Sequence, residues 1–155
     1  MKVGVIGAGA MGSGIAQAFA TTEGYEVCLC DIKEEFAANG KARIVKSFDG
    51  RVAKGKMERS EADKIVSKIS IGLKEICKDC DLIVEAAFES MEVKKTTFKE
   101  LHEICKSDCV FSSNTSSLSI TEIGAGIGRP VFGMHFFNPA PVMKLVEVIS
   151  GINTP

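Results

Sequence analysis

The residues whose types and spacing allow chemistry fall in two groups. The first is Gly7-Ala8-Gly9-Ala10-Met11-Gly12, a GxGxxG run that follows an apolar segment and opens a helical pattern. Backbone N–H groups at such a turn, with the N-terminus of the helix it opens, cradle a pyrophosphate. Gly7 makes the tight turn, Gly9 lets phosphates approach the backbone, and Gly12 lets helix pack closely on strand. Asp31 stands nineteen residues beyond Gly12, at the end of the next apolar segment. A carboxylate there accepts hydrogen bonds from a ribose 2′-hydroxyl and repels a 2′-phosphate, so the motif predicts a dinucleotide, and NAD over NADP. Lys33 is the one nearby cation that works against that preference. Taken alone, Asp31 would also serve as a helix N-cap.

The second group lies in the later half. Glu85, Glu89, the run Ser113-Asn114-Thr115-Ser116-Ser117, the run His135-Phe136-Phe137-Asn138-Pro139 and Glu147 bring carboxylates, hydroxyls, amides and an imidazole to apolar segments or their ends. An imidazole titrates near neutrality and is suited to taking and returning a proton. By itself His135 would equally fit a hydrogen-bonded core histidine.

The elements that must position these residues follow from periodicity. Lys2 to Gly7 is a short apolar run, Ala10 to Thr21 is helix-compatible with Ile15, Ala18 and Phe19 on one face, and Tyr25 to Cys30 is a second strand. Strand, turn, helix, strand is one βαβ unit and implies a parallel sheet. Between Lys33 and Lys68, Phe36, Ile44, Val45, Phe48 and Val52 recur at helical spacing, which predicts two helices broken near Gly55. Further strands are expected at Ile69–Gly72, Asp81–Ala87, Cys109–Ser113, Pro130–Phe137 and Lys144–Ile149, with helices over Met91–Cys105 and Ser119–Gly124. The class is α/β: a Rossmann-type, doubly wound, mostly parallel sheet that binds ligands at the C-terminal ends of its strands.

Composition narrows the function classes. With 155 residues, 45% hydrophobic and 25% charged, the chain is expected to form one folded domain with a real core. A net charge of −1 gives no global field toward nucleic acid or an anionic membrane, and neither is expected as a partner. The charge is uneven, since ten Lys and Arg oppose six Asp and Glu between residues 33 and 68. On its own such a run is a solvated helical face. No apolar run approaches a membrane span and the start does not resemble a secretory signal, so a cytoplasmic location is expected. Of the six cysteines, Cys77 and Cys80 form a CxxC, and Cys105 and Cys109 a CxxxC, which invites a zinc reading. Knuckle glycines are absent and each pair sits at an element boundary, so reduced, buried thiols and no metal are expected.

Three segments, Ser113-Asn114-Thr115-Ser116-Ser117-Leu118, Met134-His135-Phe136-Phe137-Asn138-Pro139 and Pro141-Val142-Met143-Lys144-Leu145-Val146-Glu147, occur in this order. With them the chain resembles the NAD-binding domain of the 3-hydroxyacyl-CoA dehydrogenases, from Met1 through its last strand. The resemblance implies reversible oxidation of an (S)-3-hydroxyacyl-CoA to the 3-ketoacyl-CoA with NAD, at short chain length. It implies His135 as acid and base, Glu147 as its partner, and Ser116 as the residue that holds the reacting oxygen. The chemistry agrees: a base must take the hydroxyl proton while hydride leaves the carbon, and a carboxylate on the other ring nitrogen fixes the tautomer and stabilises the imidazolium. Glu147, flanked by Leu145, Val146, Val148 and Ile149 on a strand expected to be buried, also demands a partner.

The resemblance further assigns Glu89, Lys94 and Asn114 to the cofactor, and Ser47 and Lys54 to the coenzyme A moiety, with Lys56 an alternative to Lys54. Coenzyme A carries several phosphates, which would put the basic helical stretch to use. His102 has no counterpart in the site and is expected at the surface. Residues 1–150 would be the NAD-binding domain and residues 151–155 the start of a linker to an all-helical C-terminal domain, absent from this chain, that forms a homodimer. Two rivals are another β-hydroxyacid dehydrogenase, which would use a lysine base, and a non-catalytic NAD-binding relative, which has no need of a His–Glu pair.

Overall fold

The computed structural model describes residues 1–155. Seven strands form one sheet: β1 (Lys2–Ile6), β2 (Glu26–Cys30), β3 (Ile69–Gly72), β4 (Leu82–Glu85), β5 (Val110–Ser113), β6 (Val131–Phe136) and β7 (Val146–Ile149). Their order across the sheet is β3-β2-β1-β4-β5-β6-β7. All neighbours are parallel except β6 and β7. The helices are α1 (Ala10–Thr21), α2 (Glu34–Ala53), α3 (Arg59–Ser67), α4 (Met91–Ile104) and α5 (Ile120–Gly124). This is the doubly wound, mostly parallel α/β sheet expected from the pattern.

The two faces of the sheet are separated by the period-2 alternation of its strands. Val3, Val5, Val27, Leu29 and Val84 point into one core with Ile15 of α1, Ile44 and Phe48 of α2, and Ile65 of α3. Ile6, Cys28, Cys30 and Ile83 point into the other with Phe98 and Leu101 of α4 and Ile123 of α5. In α2 the buried residues Ala37, Gly40, Ile44 and Phe48 follow the helical repeat and form the one apolar stripe of an otherwise charged helix. No helix is long and apolar enough to cross a membrane.

All six cysteines are buried and unpaired. A hydrogen bond between Cys28 and Cys80, together with burial, pushes the Cys28 thiol well up, and contact with Cys30 does the same for Cys77. They pack as small apolar groups of the second core, and no three His, Cys, Asp or Glu side chains are placed to share a metal ion.

Three expectations differ from the structure. A short 3-10 helix, Lys74–Cys77, was not anticipated, because four residues carry no periodicity. β7 is not a buried strand: it is the antiparallel edge, with Glu147, Val148 and Ile149 exposed, and Lys144 and Leu145 lie outside it. Its apolar alternation reads as burial, yet nothing in this chain covers it. His102 is half-buried rather than at the surface. Its Nδ1 accepts from Arg129 Nε at 3.0 Å, and that guanidinium also donates to the carbonyls of Lys106 and Cys109 and lies 4.5 Å over the Phe111 ring. The partner arrives from a loop that sequence periodicity does not place. After β7, Ile152 N–H donates to Thr121 Oγ1 of α5 at 3.0 Å.

Phe48 is 1% exposed and anchors α2 to the sheet. Phe48→Ala is expected to lower stability by about 3–5 kcal/mol, measured by urea unfolding.

Candidate functional site

The glycine loop joins β1 to α1 at the C-terminal edge of the sheet. Gly7 adopts φ +102°, and a Cβ there would lie 2.6 Å from Ala86 O, so both its backbone and its contact require glycine. A Cβ on Gly12 would lie 1.7 Å from Gly7 O, which is how closely α1 leaves β1. At Gly9 a Cβ would meet nothing within 4 Å. The loop is therefore open to solvent at the position where a phosphate must approach, and closed at the positions where the chain packs on itself. α1 begins with no side-chain cap, leaving its first-turn N–H groups to an anion.

Asp31 follows β2 and faces this loop. Its Oδ2 accepts from Ala8 N at 2.8 Å and its Oδ1 from Ile32 N at 2.7 Å. Lys33, not Asp31, occupies the N-cap of α2. The acid is thus spent on the glycine loop, beside the place where a ribose would follow the pyrophosphate.

A second set of side chains gathers where β4, β5 and β6 end. Glu85 and Lys94 are 0% and 1% exposed and form a bidentate ion pair, with Lys94 Nζ 2.9 and 2.8 Å from the two carboxylate oxygens. Lys94 Nζ is also 3.5 Å from Glu89, which is 40% exposed. Glu89 Oε1 accepts from Thr115 Oγ1 at 2.7 Å, and its Oε2 accepts from Ser116 N at 3.0 Å. Partial burial works against its ionisation, but those two hydrogen bonds and the Lys94 charge outweigh it and hold the carboxyl below the ordinary glutamate range. Asn114 Oδ1 accepts from Phe136 N at 2.8 Å, tying the β5 turn to β6 beside His135.

His135 and Glu147, twelve residues apart, are directly opposed in the antiparallel ladder of β6 and β7. The cross-strand pair places His135 Nδ1 2.9 Å from Glu147 Oε1, while His135 Nε2 faces Ser116 Oγ at 3.2 Å. Serine, imidazole and carboxylate are in line. The imidazole is 20% exposed and the carboxylate 53%, so this line borders solvent.

A cleft of about 490 Å³ opens between α1, α2 and the segment after β6, lined by Gln17, Arg43, Ser47, Arg51, Pro139 and Pro141 among others. Gln17 Nε2 donates to Ser47 Oγ at 3.4 Å, and Arg43 Nη1 to Ala8 O at 3.3 Å. Lys54 lies one residue past α2 and, like Lys56, does not line the cleft.

The structure therefore brings Ser116, His135 and Glu147 together, sets Asp31 against Gly7–Gly12, and places Ser47 in the cleft. It does not bring Lys54 there, and it puts Lys94 inside the protein, with its ammonium directed at Glu85 and Glu89. Sequence reasoning missed Arg43 and Arg51, although Arg43, Ser47 and Arg51 are spaced i, i+4, i+8 on one helix, and that spacing was the available signal. It also left Glu85 and Thr115 without roles. Nothing in the spacing of Glu85 and Lys94 announces a buried pair.

The family model for the 3-hydroxyacyl-CoA dehydrogenase NAD-binding domain matches residues 2–155. A 3-hydroxybutyryl-CoA dehydrogenase of Clostridioides difficile is 49% identical over 154 residues, covering 97% of this chain and 54% of that protein. The crystal structure of 3-hydroxybutyryl-CoA dehydrogenase from Escherichia coli K12 superposes with a TM-score of 0.95 at 42% identity, over 100% of this chain and 33% of that one. (S)-3-hydroxybutyryl-CoA dehydrogenase PaaH1 from Ralstonia eutropha gives 0.93 at 38% identity, over 99% of this chain and 55% of that one. The chain spans about half the length of the first curated relatives it matches.

Because the Glu89 carboxyl is lowered in the fold, its contribution to stability is present in full above the ordinary glutamate range and is lost as pH falls through the lowered value. The stability difference between wild type and Glu89→Gln, from urea melts, is expected to be constant near neutrality and to shrink below about pH 4.

Proposed function

This chain belongs to the family of 3-hydroxyacyl-CoA dehydrogenase NAD-binding domains, and from that premise we propose that it is the cofactor-binding half of a short-chain enzyme. The reaction is reversible interconversion of (S)-3-hydroxyacyl-CoA, with 3-hydroxybutanoyl-CoA foremost, and the 3-ketoacyl-CoA. NAD, when bound, supplies the carbon that accepts or returns the hydride. The residues fit that cofactor: the loop is open at Gly9, bare N–H groups begin α1, and the Asp31 side chain stands against the loop, where it can accept from the 2′-hydroxyl. Glu89, with Lys94 acting through it, is assigned to the cofactor's ribose and phosphate side, and Asn114 to the cofactor as well.

The observation that carries this reading is the contact of His135 with both Ser116 and Glu147. With Nδ1–H donating to Glu147, Nε2 is left as the acceptor. It takes the hydroxyl proton of the substrate as the alcohol is oxidised and returns it on reduction. Glu147 holds the tautomer and stabilises the imidazolium, and Ser116 Oγ donates to the reacting oxygen. The phosphates of coenzyme A are assigned to the cleft, with Ser47, Arg43 and Arg51 in its wall and Lys54 farther out.

The exposed apolar side chains Val142, Leu145, Val148 and Ile152 suit a surface that a further domain covers. We assign it to an all-helical C-terminal domain, through which the cytoplasmic enzyme would dimerise. Burying Glu147 there would strengthen its bond to His135, since exposed charges are screened.

NADH absorbance is expected to fall when the natural full-length protein is given acetoacetyl-CoA, whereas this chain alone should bind NADH with very weak turnover. His135→Gln is expected to lower kcat about 100-fold or more, and a variant with near-full turnover would defeat the mechanism. Arg51→Ala and Lys54→Ala are each expected to raise KM for acetoacetyl-CoA, about tenfold at Arg51 and less at Lys54, with the NADH dissociation constant unchanged. An unchanged KM removes the residue from the coenzyme A site.

A further inference from the structure

The most deeply buried charges of the molecule, Glu85 and Lys94, take no part in the proposed proton transfer. A buried ion pair is rarely explained by stability, since an apolar pair of similar volume usually serves as well or better. The connections of this pair are more telling. Glu85 Oε2 accepts from Ala87 N at 2.7 Å, and Ala86 N donates to Ile6 O at 2.7 Å. Ala86 and Ala87 are the floor on which Gly7 rests, because a Cβ on Gly7 would lie 2.6 Å from Ala86 O and 2.9 Å from Ala87 N. On its other side, Glu85 Oε1 accepts from Ser113 Oγ at 2.6 Å, and the Glu85 carbonyl accepts from Asn114 N at 2.8 Å. Ser113 Oγ in turn accepts from Thr115 N at 3.3 Å. A parallel route runs from Glu85 through Lys94 to Glu89, which holds Ser116 N.

We propose that Glu85, with Lys94 as its counter-ion, is a positioning residue that holds the glycine loop and the Ser116 turn in one frame, setting the cofactor relative to the Ser116–His135 pair. Its carboxylate offers four acceptor sites, and one fully buried group thereby satisfies donors from three separate segments: Ala87, Ser113 and Lys94. An apolar pair could fill the volume but would leave the Ala87 N–H and the Ser113 hydroxyl without partners. The anion is required for its geometry. This inference rests on the dehydrogenase reading above.

Two variants of the natural full-length protein separate positioning from mere stability. Glu85→Gln combined with Lys94→Met removes both charges together, so no buried ion is left unpaired, and the Gln carbonyl remains an acceptor. It is expected to keep the wild-type fold by circular dichroism, to raise the NADH dissociation constant about tenfold and to lower kcat with acetoacetyl-CoA about tenfold or more. Ser113→Ala cuts only the branch to the Ser116 turn. It is expected to lower kcat about tenfold with the NADH dissociation constant unchanged. A purely structural role would reduce the active fraction and leave the dissociation constant of the folded fraction alone. Wild-type kcat in Ser113→Ala overturns the proposal, whether or not the double variant folds, and so does a folded double variant with wild-type NADH affinity. If the wild-type protein binds NADH but does not turn over acetoacetyl-CoA, the dehydrogenase reading fails instead. The NADH affinities of the two variants then decide the positioning claim alone.

Discussion

The site depends on a constraint of the sheet: parallel strands all end on one edge, and on that edge the chain changes its direction of travel between β1 and β4. From β1 the chain moves outward through β2 to β3, then crosses back to β4 and continues to β7. The connections leaving β1 and β4 therefore pass to opposite faces, α1 to one and α4 to the other, and a crevice opens between them. Gly7 sits in that crevice against Ala86, so the two connections touch at backbone distance. Only residues without side chains, or with side chains aimed elsewhere, can stand there. The glycine motif is the local consequence of a global change of direction.

Charges are used in three ways around this crevice. Glu85 and Lys94 are withdrawn from water and must be fully partnered, and they are, through the bidentate pair and the Ala87 and Ser113 donors. His135 and Glu147 are near solvent and owe their contact to register: the hairpin of β6 and β7 sets them opposite one another. A shift of that register by one residue would turn one of them to the other face of the sheet and abolish the pair. Arg43 and Arg51, both on α2, make a third use of charge. There the apolar stripe through Ile44 and Phe48 fixes the helix, and Arg43 and Arg51 project into the cleft beside α1.

Much of the frame was legible in residue order. The first βαβ unit is marked by apolar runs, glycines and Asp31 within thirty-one residues, because local sterics and period-2 burial act over short distances. The break near Gly55 was legible for the same reason, as Gly55 adopts φ +69°. The edge strand was not: Val146, Val148 and Ile149 have the composition of a buried strand, yet Val148 and Ile149 are exposed because nothing in this chain covers them. The second half of α2 announced its charge but not its direction, so the resemblance pointed to Lys54, with Lys56 as its alternative, while the cleft is lined by Arg51.

Residue types and short-range spacing alone determined the α/β class, the phosphate-binding turn and its acid, and the resemblance that singles out Ser116, His135 and Glu147. Tertiary structure alone decided which polar groups share an environment. Glu85 and Lys94 become a buried pair, Lys94 turns inward from the cofactor side, and Arg129 takes His102. Asp31 bonds back to Ala8 rather than capping α2. The physical reason is that steric and periodic preferences are carried by each residue and its neighbours in the chain. The state of a charge, by contrast, depends on desolvation and on partners that arrive from distant segments, and neither exists until the sheet has assembled.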